Sequence, residues 1–138
     1  MMIPDPSSTK EGRTILLVDD EPQLLAVAGH ALQQAGYTVL SARSGPEAER
    51  LCESHPGEID LVVMDVILEN ATGFDALPCL NRLRPLMKVL YISGYPGRLM
   101  YDNLGIHVPF LMKPFTPEEL VAAVGDALWQ PPAPAQAA

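Results

Sequence analysis

Thr14-Ile15-Leu16-Leu17-Val18-Asp19-Asp20-Glu21-Pro22 is the stretch that decides how this chain folds. A short branched-aliphatic run that stops at acids and a proline reads as a buried strand delivering its last residues to a sheet edge. The same pattern returns further along. Asp65 follows Ile59 to Met64, Ser93 follows Val89 to Ile92, and Lys113 follows Phe110-Leu111-Met112. Helical spacing separates the runs, so the strands should lie parallel, with their carboxyl ends on one side. Ligands of open parallel sheets bind at that side. Asp19, Asp20 and Asp65, the Ser93 hydroxyl and the Lys113 ammonium are thus expected in one crevice. That set suits a divalent cation and a phosphoryl group.

The rest of the chain agrees with a single α/β unit. Its 138 residues are one domain's worth, and 48% hydrophobic residues can fill a core. Helix one is predicted from Pro22 to Gly36, with Leu24, Leu25, Ala28, Ala31 and Leu32 as its inward face. Tyr37 to Ala42 is strand two, and Ser44 with Glu47 forms a capping box that opens helix two. Strand three runs from Ile59 into Asp65, and strand five from about His107 to Met112. Thr116-Pro117-Glu118-Glu119 starts a last helix that runs to about Trp129. Alternating strands and helices predict a flavodoxin-like (βα)5 fold, a doubly wound five-stranded parallel sheet in the order 2-1-3-4-5. Residues 1–12 read as a disordered leader, 13–129 as the folded domain and 130–138 as a Pro/Ala-rich tail.

Charge and cysteine content narrow the function. A formal charge of −8 with nine scattered basic residues argues against nucleic-acid binding. Cys52 and Cys79 lack metal or redox spacing, and no apolar run reaches the length of a membrane span. A cytoplasmic protein without direct membrane contact is the expectation. Each site residue has a plainer reading on its own: Asp19-Asp20 as helix caps, Asp65 and Ser93-Gly94 as turn residues, Lys113 as a surface charge. Their joint occurrence at successive strand ends favours the crevice.

Asp19-Asp20, Asp65, Ser93 and Lys113-Pro114, in this order and at these strand ends, resemble the receiver domain of two-component response regulators. The resemblance covers Arg13 to Trp129. It implies that Asp65 takes a phosphoryl group from a sensor histidine kinase or a histidine phosphotransfer domain. Asp20, Asp65 and the Ile67 backbone carbonyl would ligate Mg²⁺, with Asp19 acting partly through water. Lys113 and Ser93 would contact the phosphoryl oxygens, Phe110 would be the switch aromatic, and Lys113-Pro114 a cis peptide. Such a domain catalyses only its own phosphorylation and dephosphorylation.

Some residues depart from the family's usual pattern. Phe110 stands where a tyrosine is frequent, and Glu69 where a proline is common. Pro78 falls inside the third helix, which should be kinked or start late. Pro96 and Gly97 leave only Arg98 to Leu104 for a fourth helix, closed by Gly105. The last helix carries Glu118, Glu119 and Asp126 but no basic residue, so a monomer is expected. KVLYISGYPGR (88–98) and FLMKPFTPEEL (110–120) look like receivers attached to hybrid sensor histidine kinases. Two alternatives stay open: a flavodoxin-like cofactor-binding protein, and an interaction module independent of phosphorylation. The first needs a small-residue phosphate loop after strand one, where this chain has three acids.

Overall fold

The computed structural model describes residues 12–68, 71–94 and 109–129. The expected fourth helix, Glu69, residues 1–11 of the leader and the tail lie outside them. β1 (Thr14–Val18) is buried along its whole length. It pairs in parallel with β2 (Thr38–Ala42) on one side and β3 (Leu61–Asp65) on the other. A two-residue antiparallel hairpin follows Asp65, made of β4 (Ile67–Leu68) and β5 (Ala71–Thr72). β6 (Lys88–Ser93) joins β3, and β7 (Phe110–Met112) joins β6. The sheet order is β2-β1-β3-β6-β7, all parallel, which is the predicted 2-1-3-4-5. The small hairpin was not expected from sequence.

Alternation along β1 sorts the core into two layers. Leu16 and Val18 meet Val62, Met64, Tyr91 and the helices α2 (Gly45–Ser54) and α3 (Gly73–Leu83). Ile15 and Leu17 meet Leu61, Val63 and the helices α1 (Pro22–Gln34) and α4 (Pro117–Trp129). Side chains alternate across a strand, so a sheet covered on both faces needs apolar residues at every position.

Local signals explain where the helices begin and end. α1 stops because Gly36 takes φ +105°, which only glycine accepts without strain. The Gly36 amide donates to the Gln33 carbonyl and the Tyr37 amide to Leu32, both at 3.0 Å. These two bonds form a Schellman closure. They occupy Tyr37, so β2 starts at Thr38, one residue later than predicted. At α4 the capping box is reciprocal: the Thr116 amide donates to Glu119 Oε1 (2.8 Å) and the Glu119 amide to Thr116 Oγ1 (3.0 Å). At α2 it is displaced. Ser44 Oγ accepts from the Glu47 amide (3.2 Å), but the Glu47 carboxylate takes the amide of Arg43 instead of Ser44.

Of the two alternatives for the third helix, the late start is excluded: α3 spans Gly73–Leu83 with Pro78 inside it. Pro78 gives up one backbone donor, and packing against α2 and the sheet offsets that loss. β3 starts at Leu61 rather than Ile59. The Asp60 carboxylate there turns aside to accept the Thr14 amide at 2.8 Å and to face Arg13 at 3.7 Å. On the same side of the molecule, the Arg84 guanidinium closes α3 onto the α2–β3 connection. It donates to the carbonyls of Cys52 (2.9 Å), His55 (2.6 Å) and Gly57 (2.7 Å).

Tyr91 carries a pH signature. It is 2% exposed, and burial pushes its phenol well above the ordinary value. Below about pH 10 the phenol is neutral in both the folded and unfolded chain. Above it, only the unfolded chain ionises, so stability should fall by about 1.4 kcal/mol per pH unit from this group. Tyr91→Phe is expected to flatten the loss of stability between about pH 10 and 11, read from urea unfolding at each pH. An unchanged slope would assign the alkaline loss to other groups, such as Tyr37, which burial also raises, Arg13 partly opposing.

Candidate phosphoacceptor and cation site

The carboxyl ends of β1, β3 and β6 meet because Val18 lies opposite Met64 and Asp65 opposite Ile92. Asp19 and Asp20 extend β1 past its last pair, which sets them beside Asp65. One oxygen from each of Asp19, Asp20 and Asp65 lies within 4.8 Å of the others. Asp19 (1% exposed) and Asp65 (5%) are buried, and Asp20 is half-buried. Three negative charges at that spacing repel strongly in a partly dry site. Lys113 Nζ relieves part of this by donating to Asp19 Oδ2 at 2.9 Å and to Asp65 Oδ2 at 3.1 Å.

Burial alone would lower the Lys113 pKa. The hydrogen bond to Asp19 and the charge of Asp65 outweigh it, and the ammonium is held above its ordinary value. Lys113 is therefore a fixed cation at neutral pH. Its own backbone amide donates to the Ser93 carbonyl at 2.8 Å, just past the β6–β7 pair Ser93–Met112. Ser93 is buried at the tip of β6, next to the strand end that carries Asp65. The Lys113-Pro114 peptide is cis.

Ile67 opens the β4–β5 hairpin two residues after Asp65. Phe110 is half-buried on β7, paired with Tyr91 and packed on the α2–α3 side of the sheet. Asp19 divides its carboxylate between two partners. Its Oδ1 accepts the Glu21 amide at 2.9 Å, leading the chain into α1, while Oδ2 holds Lys113. The residue at the helix cap itself is Glu21, whose side chain makes no capping bond. Neither the Glu21 amide nor the hairpin was singled out by sequence reasoning, because main-chain donors and two-residue strands leave no side-chain pattern.

Chemically, the site offers three carboxylates, one fixed ammonium and a neighbouring hydroxyl. Oxygen-only donors with this excess of negative charge fit a hard divalent cation and disfavour zinc, which prefers nitrogen and sulfur. A bare phosphate would be repelled. An open apolar groove of about 580 Å³ borders the site and is lined by Leu24, Val27, Ala28, Phe115 and Leu120, with Gly94 and Lys113 at its edge.

Comparison with known proteins finds relatives over most of the described chain. The model of the response regulator receiver domain matches residues 15–125. Sensor kinase CckA of Brucella abortus is 38% identical over 117 residues, which are 83% of this chain and 12% of the kinase. The transcriptional regulator NtrC of Rhizobium meliloti is 33% identical over 123 residues, 87% of this chain and 25% of NtrC. The chain thus spans a small part of these relatives. Among solved structures, the receiver domain of the hybrid histidine kinase CckA is 34% identical with a TM-score of 0.70. That match covers 83% of this chain and 98% of the receiver. A response regulator receiver protein from Sinorhizobium medicae is also 34% identical, with a TM-score of 0.72 and coverage of 86% and 95%.

Proposed function

This chain belongs to the response regulator receiver family of two-component signalling, and we propose that Asp65 is its phosphoacceptor, charged by a histidine kinase or histidine phosphotransfer domain in a Mg²⁺-dependent reaction. The observation that carries this reading is the placement of Lys113 Nζ between Asp19 and Asp65, inside a cluster of three carboxylates. A carboxylate nucleophile attacks through an oxygen lone pair and needs no general base. An Asp65 oxygen attacks phosphorus of the donor's phosphohistidine, the phosphorus–nitrogen bond breaks, and its electron pair returns to the imidazole. Lys113 balances charge on the phosphoryl oxygens, and the Ser93 hydroxyl donates to one of them. Asp20, Asp65 and the Ile67 carbonyl would hold Mg²⁺, which supplies charge neutralisation at the phosphoryl group. Asp19, already engaged by the Glu21 amide and Lys113, orients the ammonium.

Phe110, half-buried beside Tyr91, is the residue through which a change at Ser93 would reach the sheet surface. The groove between α1 and α4 opens beside Lys113 and supports docking of the donor there. With Glu118, Glu119 and Asp126 on α4 and no basic residue to pair with them, the chain is read as a monomer. A flavodoxin-like cofactor role is disfavoured by the acids that follow β1, and an interaction role without phosphorylation leaves the cluster without a purpose.

Mg²⁺ should stabilise the protein by mass action. With a dissociation constant near 1 mM, 10 mM Mg²⁺ adds about 1.4 kcal/mol. Asp20→Ala should remove that shift in thermal melts, and beryllofluoride with Mg²⁺ should stabilise the parent further. A Mg²⁺ shift that survives in Asp20→Ala would refute the ligand assignment.

A further inference from the structure

β6 carries a polar side chain at each of its ends. Ser93 closes it at the acidic crevice, and Lys88 opens it on the opposite side of the sheet. Lys88 Nζ donates to the Leu128 carbonyl at 2.6 Å, in a partly buried position. Leu128 lies in the last turn of α4, where the carbonyls lack intrahelical partners. No basic residue of α4 occupies that turn, and Asp126 adds a negative charge where the helix dipole is already negative. Lys88 brings a cation to this helix end from a neighbouring strand. The next residue is Trp129, the one tryptophan of the chain, 61% exposed.

The start of α4 is tied to the same machinery. α4 follows Lys113 after three residues, and Lys113 is bonded to Asp19, Asp65 and the Ser93 carbonyl. α4 is therefore fastened at its start to the site and at its end to the strand that carries Ser93. We propose that Lys88 is a latch on the end of α4, and that it makes the last turn of α4 respond to occupation of the acidic crevice. The latch itself follows from the contact; the response rests on the phosphoacceptor reading above.

Two measurements on the full chain separate these parts. Lys88→Met keeps the apolar stem and removes the ammonium. Amide exchange in the last turn of α4 should become about tenfold faster, the loss of one charge-assisted bond at a helix end. Lys88→Arg, which retains cation and donors, should stay within about twofold of the parent. Exchange in Lys88→Met equal to the parent would overturn the latch. For the response, Trp129 emission should change when beryllofluoride and Mg²⁺ are added to the parent. Lys88→Met should keep the thermal stabilisation by beryllofluoride but lose most of the emission change. An equal emission change in both proteins would overturn the coupling. Absence of beryllofluoride stabilisation in the parent would count against the phosphoacceptor reading instead, leaving the latch to be judged on exchange alone.

Discussion

Asp65→Asn is expected to abolish phosphoryl uptake from acetyl phosphate, lowering the labelling rate by at least about a thousandfold. The amide has nearly the shape of the carboxylate, so the backbone of β3 and the packing under it have no reason to move. It lacks the anionic oxygen that must form the new bond to phosphorus. Lys113 keeps its 2.9 Å bond to Asp19, so the crevice stays assembled around the altered residue. The asparagine protein should therefore fold and melt cooperatively while taking up no label. A labelled Asp65→Asn protein would move the acceptor to another side chain, Asp19 or Asp20 first, since their oxygens lie within 4.8 Å of Asp65.

The second large effect concerns Lys113. Its ammonium bridges Asp19 and Asp65, whose side chains are 1% and 7% exposed, while its own side chain is 21% exposed. Removing one partner of a buried ion cluster leaves charges that neither solvent nor protein compensates, typically costing about 3–5 kcal/mol. Partial solvent access to Lys113 reduces that, so Lys113→Met should lose about 2–3 kcal/mol in the presence of a chelator. Millimolar Mg²⁺ should restore about 1 kcal/mol or more, because it neutralises the same carboxylates. Urea unfolding with and without Mg²⁺ gives both values. A Lys113→Met protein as stable as the parent in chelator would mean that Asp19 and Asp65 relieve their charge in some other way.

How much of this was legible in the sequence differs from residue to residue. Val18-Asp19-Asp20 and Met64-Asp65 could be read because a change from buried aliphatic to acid marks both the end of a strand and the side where it ends. The order of the strands then made Asp19, Asp20, Asp65, Ser93 and Lys113 neighbours by topology alone. Gly36 and the Thr116–Glu119 box were legible because their local chemistry decides the backbone with little help from distant residues. Pro78 was read as a late start or a kink because its missing donor is a local fact. The packing of α3 on α2 and the sheet, which keeps the helix running from Gly73, is a tertiary one. The divided role of Asp19 was hidden for the same reason. Its two oxygens are claimed by a main-chain amide and by a lysine 94 residues away. Lys88 gave no sign either, since its partner is a carbonyl.

The central claim is that Asp65 accepts the phosphoryl group with help from Mg²⁺ and Lys113. Its most direct test is peptide mass spectrometry of the parent chain after incubation with acetyl phosphate, with Mg²⁺ and with a chelator. The expected result is one phosphoryl group, on the peptide containing Asp65, labile to hydroxylamine as an acyl phosphate is, and absent when the chelator is present. A phosphoryl group on another residue, or equal labelling of Asp65 in the chelator, would contradict the account.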